Sequence, residues 1–252
     1  MILEDKTLHT KDGQSIVFDC HQDGNNQIVI LAHGFYNNKD ACLLKNITLE
    51  FAKYYDVITF DFRGHGKSSG SFSWTSDEPN DLAAVLDYAK EQNYEKIGVI
   101  GFSLGAAATL VEASHNKLIN SVIAVSAPFD FWQINFHFWE PEMLNDLKLN
   151  LGMKGKGKFI RPGNPLAKKI KPIDIVEFIS PAPIFFIHGA NDWIIKTEHS
   201  QKLFEKAKEP KKLLMIDDVG HAEKIFDDKP NEFISECRQW FDKTLAKESK
   251  QC

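Results

Sequence analysis

Short apolar runs alternate with longer segments of helical periodicity along most of the chain. Apolar runs of about four to eight residues between turn residues are typical of buried strands, whereas apolar positions spaced three and four apart are typical of helices. The pattern predicts strands at 27–32, 57–60, 96–100, 119–125, 184–187 and 212–216. It predicts helices near 40–54, 78–91, 106–112, 197–207 and 231–245. Repeated strand and helix order predicts an α/β fold, a mostly parallel sheet with helices on both faces.

The first part of the chain predicts a different arrangement, an opening meander of strands. Residues 6–20 predict two strands around the turn Lys11-Asp12-Gly13, and the turn Asp23-Gly24-Asn25-Asn26 precedes the strand at 27–32. No linker rich in Pro, Gly and Ser divides the chain, and its 252 residues, 43% of them hydrophobic, can bury one large core. We therefore predict a single domain over 1–252.

Composition excludes several classes of protein. A net charge of −5 and a pI near 6.0 argue against a nucleic-acid binder, which should be basic. No apolar run approaches the roughly 20 residues that span a bilayer, and residues 1–5 resemble no signal peptide. We expect no transmembrane segment and a cytoplasmic protein. Four cysteines without CxxC spacing indicate free thiols rather than a zinc site or a disulfide framework.

One pentapeptide, Gly101-Phe102-Ser103-Leu104-Gly105, carries the strongest chemical signal. It lies directly after a predicted buried strand and directly before a predicted helix, which is the context of a nucleophile elbow. Glycines two residues on either side of the serine allow a sharp turn that leaves the hydroxyl exposed at the end of the sheet. Ser103 is therefore the candidate nucleophile.

An acid and a base follow Ser103 in the chain order expected of this type of sheet, Ser, then Asp, then His. Asp192 follows the strand at 184–187, and His221 follows the strand at 212–216, so both should lie at the carboxyl edge of the sheet. We assign proton transfer to His221 and orientation of its imidazole to Asp192. Asp130 is the competing acid, because it follows the strand at 119–125. Asp217 and Asp218 are expected in a solvated turn.

Serine chemistry also needs donors for a developing oxyanion. The predicted oxyanion hole uses the backbone N–H of Leu104, the residue after the nucleophile. A second N–H comes from the loop after the first long buried strand, which reads His33-Gly34-Phe35-Tyr36. We assign this donor to Phe35.

With these residues in view, the chain resembles the α/β-hydrolases of the compact type, which includes small carboxylesterases, acyl thioesterases and the serine aminopeptidase or monoacylglycerol-lipase-like group. The resemblance implies hydrolysis of esters, thioesters or amides through an acyl-enzyme, without a cofactor. Serine at the elbow argues against the dehalogenase and epoxide hydrolase relatives, which carry Asp there. The matching segments are His33-Gly34-Phe35, the run Asp61 to Ser68, Gly101 to Gly105, His188-Gly189 with Asp192, and Gly220-His221.

Two other signals point away from nucleotide and metal chemistry. The run Gly64 to Gly70 contains Gly66-Lys67-Ser68, the end of a Walker A loop, but Asp61 stands where the opening glycine is required. The histidines lie in separate loops without HExxH or other paired spacing, so we predict no catalytic metal. His188 is expected to end a buried strand and support the acid loop.

A segment at about 129–180 is too long for a plain crossover and predicts a small cap insertion. Its first half is aromatic, and its side chains either line an acyl pocket or pack on the body. These are Phe129, Phe131, Trp132, Phe136, Phe138 and Trp139. Its second half is basic and either forms a solvated surface or attracts an anionic substrate or an anionic lipid surface. These residues are Lys148, Lys154, Lys156, Lys158, Arg161, Lys168, Lys169 and Lys171.

The leading hypothesis is a serine esterase acting on small-molecule esters of small or medium acyl groups, with thioester cleavage as the near alternative. An aminopeptidase-like amidase needs a carboxylate for the substrate amine, for which the cap offers Glu140 and Glu142. A ligand-binding protein with slow turnover is the alternative from another class, because one fold hosts many functions. Repeated turnover distinguishes an enzyme from such a protein.

Overall fold

Eight strands form a single sheet in the order β1-β2-β4-β3-β5-β6-β7-β8. The structure is a computed structural model that describes residues 1–134 and 160–246. The strands are β1 (Ile2–His9), β2 (Ser15–His21), β3 (Gln27–Ala32), β4 (Asp56–Phe60), β5 (Lys96–Phe102), β6 (Ser121–Val125), β7 (Ile184–Gly189) and β8 (Lys211–Ile216).

Helices connect the parallel strands and cover both faces of the sheet. Within the described ranges they are α1 (Cys42–Phe51), α2 (Glu78–Glu91), α3 (Leu104–Ala113), α4 (Pro172–Ile175), α5 (Glu198–Lys206), α6 (Lys224–Asp228) and α7 (Pro230–Thr244). Short 3-10 turns lie at Phe131–Gln133 and Val176–Phe178. The short helices α4 and α6 were not predicted, because four or five residues are too few to show a helical period.

The predicted fold class, a mostly parallel sheet with helices on both faces, is confirmed. Strands β4, β3, β5, β6, β7 and β8 run parallel. Among the described residues, only β1 with β2 and β2 with β4 pair antiparallel. The parallel strands appear in the sequence as continuous apolar runs because both of their faces are buried. Along β3 the alternate residues Val29 and Leu31 pack on one face, while Ile28 and Ile30 pack on the other.

The predicted opening meander is wrong in its third strand. Strands β1 and β2 do form a hairpin, but β3 pairs with β4 and β5, so β4 lies between β2 and β3. Residues 28–32 are buried throughout, whereas an edge hairpin exposes part of each strand. A strand that is apolar on both faces is stabilised most at the centre of the sheet, between two parallel neighbours.

The hydrophobic core forms one layer on each face of the sheet. Helices α2, α3 and α5 bury their apolar sides on one face, and α1, α6 and α7 do so on the other. Gly98 of β5 makes the second layer tight, since a Cβ at this position would lie 2.8 Å from Cε1 of Phe241 on α7. Each fully buried Phe side chain contributes about 1.5–3 kcal/mol of transfer free energy, so these layers stabilise the packing of the helices on the sheet.

Only the two ends of the predicted cap insertion belong to the described residues. The returning segment pairs with the loop after β4: Arg161 N–H donates to Gly64 O (2.7 Å) and Gly163 N–H donates to Phe72 O (2.7 Å). The cap as a unit, and the single domain over 1–252, remain predictions. The predicted cap residues Phe136, Phe138, Trp139, Glu140, Glu142, Lys148, Lys154, Lys156 and Lys158 lie outside the described residues.

Candidate active site

Ser103 lies at the tight turn between β5 and α3. Its backbone has φ 54° and ψ −122°, a region that residues with a side chain rarely adopt and that costs about 1–3 kcal/mol. Its N–H donates to Val125 O (2.9 Å), which fixes the turn to the end of β6. The strained turn places the serine at the carboxyl edge of the sheet, as the sequence predicts.

The two elbow glycines are required by close packing. A Cβ on Gly105 would lie 2.2 Å from His33 O, and a Cβ on Gly101 would lie 2.6 Å from the Cα of Ala106. Any side chain at either position would push α3 away from β3 and β5. The glycines therefore let the first turn of α3 lie directly against the loop after β3.

The structure brings Ser103, His221 and Asp192 into one hydrogen-bonded chain. His221 Nε2 lies 2.8 Å from Ser103 Oγ, and His221 Nδ1 lies 2.7 Å from Asp192 Oδ2. Because a carboxylate only accepts hydrogen bonds, Nδ1 carries the proton and Nε2 is left to accept from the serine hydroxyl. Asp192 follows β7 and His221 follows β8, so neighbouring parallel strands deliver both groups to the same edge.

Asp192 is held ionised by its surroundings. Burial by itself raises the pKa of this carboxyl, but the charge of His221 and hydrogen bonds from His188 and His221 outweigh it and lower the pKa below the ordinary value. Oδ1 also accepts from the N–H groups of Ile194 (3.1 Å) and Ile195 (2.9 Å). These bonds fix the plane of the carboxylate that faces His221.

His188 supports the acid loop, as the sequence predicts. It is buried in β7, its Nε2 lies 2.7 Å from Ile195 O and 3.3 Å from Asp192 Oδ2, and its Nδ1 lies 2.6 Å from Ser200 Oγ. Because Ile195 O and the Asp192 carboxylate can only accept hydrogen bonds, Nε2 carries a proton and donates to them.

The alternative acid, Asp130, is engaged elsewhere. Its Oδ1 accepts from Trp132 N–H (3.0 Å) at the start of a 3-10 turn, and its Oδ2 lies 2.9 Å from Lys171 Nζ. Asp217 and Asp218 lie exposed in the turn after β8, as expected. Of these carboxyl groups and Asp192, only Asp192 contacts His221.

The loop after β3 carries the predicted oxyanion donor, Phe35. The carbonyl of Gly34 accepts from His33 Nδ1 (2.7 Å) and from Asn37 N–H (3.2 Å). In a trans peptide the C=O and the following N–H point in opposite directions, so fixing Gly34 O also fixes the direction of Phe35 N–H. Within the described residues, the N–H groups of Phe35 and Leu104 have no protein acceptor.

His33 acts in this loop as a neutral imidazole. Burial lowers its pKa to about 4. Its Nδ1 proton is donated to Gly34 O, while Nε2 accepts from Phe62 N–H (3.0 Å). Lys39 anchors the far end of the loop, because its buried Nζ lies 2.7 Å from Asp5 and 2.9 Å from Asp19. The loop is thus tied to β1, β2 and the segment after β4.

Two polar residues at the site were missed by the sequence reasoning. Ser126, directly after β6, is fully buried, and its Oγ accepts from Ala222 N–H (3.1 Å) beside His221. Glu223 is 6% exposed and bonds to the loop after β3. Ser126 could have been found in the sequence as a polar residue directly after a buried strand, and Glu223 as a charged residue beside the candidate base.

Backbone strain concentrates around Ser103. Most of the non-glycine residues with positive φ in the described ranges lie on loops at this edge of the sheet, where such strain commonly accompanies function. They are Tyr36, Trp74, Thr75, Ser103, Ser126, Asp218 and Ala222.

An apolar cluster lies beside the serine. Leu104 packs in it with Phe72, Phe131, Ile134 and Ile195, and Phe35, Trp74 and Ile194 pack against these side chains. Of the predicted cap aromatics in the described ranges, Phe131 is buried in this cluster and Trp132 is 57% exposed. Phe129 is half-buried and packs instead against the core layer on one face of the sheet.

Trp74 is presented to this cluster by a strained turn. Residues Trp74 and Thr75 have φ of 60° and 78°, and the buried carboxyl of Glu78 holds the turn by accepting from Ser73 N–H (2.7 Å) and Thr75 N–H (2.7 Å). The indole ring lies 4.7 Å from the ring of Phe35, centroid to centroid. The loop after β3 and the turn at Trp74 therefore form one aromatic wall.

The Walker-like run after β4 is organised around a carboxylate. Asp61 accepts from the N–H groups of Lys39 (2.7 Å) and Lys67 (2.9 Å), and a Cβ on Gly66 would lie 2.2 Å from Asp61 Oδ2. Lys67 Nζ pairs with Asp5 (2.6 Å).

In residues 1–134 and 160–246, no cluster of three His, Cys, Asp or Glu side chains is arranged to hold a metal ion. No helix in these ranges is long and apolar enough to cross a bilayer.

His199 makes stability depend on pH in a defined direction. This buried side chain accepts from Phe129 N–H (3.0 Å) through Nδ1 and lies 3.3 Å from Gln133 O through Nε2. Burial lowers its pKa from 6.5 to about 4, although the hydrogen bond to Gln133 raises it slightly. Between these pH values the unfolded chain binds more protons than the folded one. The contribution of neutral His199 to the free energy of unfolding is therefore complete above pH 6.5 and is lost as pH falls towards 4.

We expect wild type to lose about 1–2 kcal/mol more unfolding free energy than His199→Gln on acidification from about pH 7 to pH 4.5, a range that allows for solvent screening. Urea denaturation at several pH values measures this difference. His115→Gln, at an exposed histidine, is the matched control and should follow wild type. Parallel pH curves for wild type and His199→Gln would contradict the assignment.

Comparison with known proteins agrees with the fold. The family model for the alpha/beta hydrolase fold matches residues 27–156, just over half of the chain. The solved esterase Pf2001 of Pyrococcus furiosus is 25% identical, superposes with a TM-score of 0.77, and the match covers 96% of this chain and 93% of that one. The polyketide transferase GrgF of Penicillium sp is 24% identical over 270 residues, covering 89% of this chain and 91% of GrgF.

A third relative differs in length. The uncharacterized protein YfhR of Escherichia coli (strain K12) is 28% identical over 177 residues, which cover 69% of this chain and 55% of YfhR. The chain thus spans about half the length of the first curated relatives it matches.

Proposed function

The chain belongs to the alpha/beta hydrolase fold family, and from this premise we propose that it is a serine hydrolase cleaving carboxylic esters of small or medium acyl groups through an acyl-enzyme. The observation that carries the proposal is the chain of contacts from Ser103 Oγ through His221 to Asp192. The esterase among the solved structures similar to this chain agrees with the proposed reaction class.

The proposed reaction begins with attack of Ser103 Oγ on the acyl carbon. As this bond forms, the carbonyl electron pair moves to oxygen and the serine proton moves to His221 Nε2. Collapse of the intermediate breaks the bond to the alcohol, which leaves with the proton from His221. Water then repeats the sequence on the acyl-enzyme, with His221 as base, and releases the acid. Asp192 keeps the imidazole in the required tautomer and stabilises its charged form.

The developing oxyanion is assigned to the N–H groups of Phe35 and Leu104. Such donors act in a site shielded from water, where one of them typically contributes about 100- to 1,000-fold in kcat. The absence of protein acceptors for both N–H groups within the described residues supports this assignment.

The aromatic wall supports an apolar acyl group as the bound part of the substrate. Leu104 and Phe35 belong both to the proposed oxyanion hole and to the apolar cluster, so an acyl carbon at Ser103 would carry its chain towards Trp74 and Phe131. Burying each methylene there contributes about 0.8 kcal/mol. We therefore expect a preference for medium chains over acetate.

Acyl transfer to an alcohol is a second candidate function. It requires the same acyl-enzyme, with an alcohol in place of water. The aromatic wall would favour an apolar alcohol as acceptor. GrgF is named a polyketide transferase, so a member of the same family carries a transferase name.

The test is steady-state hydrolysis of p-nitrophenyl esters from acetate to palmitate, with and without 1-butanol as acceptor. Many turnovers per protein molecule, with an optimum at a medium chain, are expected. Formation of butyl ester at the expense of free acid would indicate the transferase. A single burst equal to the protein concentration, without further turnover, would contradict the esterase and indicate a slow-turnover binding protein.

A further inference from the structure

A buried carboxyl joins the loop of the proposed base to the loop of the proposed oxyanion donor. Glu223 lies two residues after His221, in the turn before α6. Its Oε1 accepts from Gly34 N–H (3.0 Å) and from Asn37 Nδ2 (2.8 Å). Both donors belong to the loop after β3, which is far away in the chain.

The carboxyl lies close to the nucleophile through this loop. A Cβ built on Gly34 would lie 3.1 Å from Ser103 Cβ and 3.3 Å from Glu223 Oε1, so both groups contact the same side of Gly34. A side chain at Gly34 would require these neighbours to shift, so the loop is closely confined between Ser103 and Glu223.

The hydrogen bonds of Gly34 fix it on both sides. Its N–H is held by Glu223, and its C=O is held by His33 Nδ1 and Asn37 N–H. The next peptide group carries Phe35 N–H, whose direction follows from the orientation of Gly34 O. Asn37, which donates to Gly34 O from its backbone, is itself bound to Glu223 through its side chain.

We propose that Glu223 is a positioning residue that aims the Phe35 N–H at the oxyanion and sets its distance from His221. This inference rests on the proposed function, because it concerns the same tetrahedral intermediate. One short segment, His221 to Glu223, then holds both the base and, through Gly34, the oxyanion donor. Through these contacts Glu223 fixes the spacing between the base and the donor.

The role predicts an effect on the chemical step rather than on substrate binding. The Phe35 N–H is fully used only when the serine oxygen has bonded to the acyl carbon and the carbonyl electron pair has moved to oxygen. Loss of the Glu223 acceptor leaves the donor in place but loosely aimed. Misplacement of about 1 Å typically costs about 100-fold in rate.

The test compares Glu223→Ala and Glu223→Gln with wild type on the best p-nitrophenyl ester. We expect Glu223→Ala to lower kcat by about 100-fold with KM changed by less than about threefold. Glu223→Gln should recover most of the loss, because its amide oxygen can accept the same two hydrogen bonds. The affinity of a trifluoromethyl ketone that forms a tetrahedral adduct with Ser103 should fall in parallel with kcat.

A buried glutamate remote from the site provides the matched control. Glu112, near the end of α3, is 4% exposed and accepts from Asn116 Nδ2 (2.7 Å). Glu112→Ala should lower stability without lowering kcat of the folded protein. Equal kcat losses in Glu112→Ala and Glu223→Ala, or no recovery in Glu223→Gln, would overturn the proposal, as would wild-type kcat in Glu223→Ala.

The ketone separates this proposal from the proposed function. A wild-type protein that binds the ketone through Ser103 but does not turn over esters would contradict the esterase alone. The ketone affinities of Glu223→Ala and Glu223→Gln would still decide the role of Glu223.

Discussion

Alanine in place of Ser103 is expected to lower kcat for the best p-nitrophenyl ester by about a million-fold. The substitution removes the oxygen that lies 2.8 Å from His221 Nε2 in the proposed proton-transfer path. Without it no acyl-enzyme forms, and the remaining donors act only on direct attack by water. Steady-state kinetics measure the loss, with the variant purified separately so that no wild-type protein contaminates it.

The same experiment needs a serine control and a test of folding. Ser114 lies at the other end of α3, where its Oγ bonds to Val111 O (2.7 Å), so Ser114→Ala should retain wild-type kcat. Because Ala at position 103 inherits the same positive φ, Ser103→Ala should unfold at a temperature close to that of wild type. Activity retained by a folded Ser103→Ala protein would show that another group is the nucleophile.

Asparagine in place of Asp192 is expected to lower kcat by about 10,000-fold, although its shape and burial hardly change. The ionised carboxylate accepts a hydrogen bond from His221 Nδ1, so that Nε2 can take the serine proton. An amide at this position can donate to Nδ1 and thereby favour the tautomer with its proton on Nε2. That tautomer cannot accept from Ser103.

Asp130→Asn is the matched control for this substitution. Asp130 was the alternative acid from the sequence, but it bonds to Trp132 N–H and Lys171 instead of His221. We expect its kcat to stay within about threefold of wild type. Because the pKa of Asp192 is lowered below its ordinary range, the acid limb of the wild-type pH profile should arise from a group other than Asp192. A large loss in Asp130→Asn with a small one in Asp192→Asn would reverse the assignment.

Local patterns were sufficient for much of the fold and for the candidate triad. Buried parallel strands are recognisable because both faces are apolar, so the runs at 27–32 and 96–100 stand out without any knowledge of their neighbours. The elbow is recognisable because a turn this tight permits no side chain at Gly101 or Gly105. The short helices α4 and α6 were not predicted, since each contains about one helical turn.

The sequence by itself determined the parallel α/β architecture, the serine turn and the order of Ser103, Asp192 and His221, because each strand and each candidate residue is recognised from its immediate neighbours along the chain. Only the tertiary structure decided that β4 lies between β2 and β3, that Asp192 rather than Asp130 faces His221, and that Glu223 holds Gly34. Glu223 and Gly34 are 189 residues apart. No local periodicity encodes a contact over such a separation, since it arises only when the packed sheet brings the loops at its carboxyl edge together.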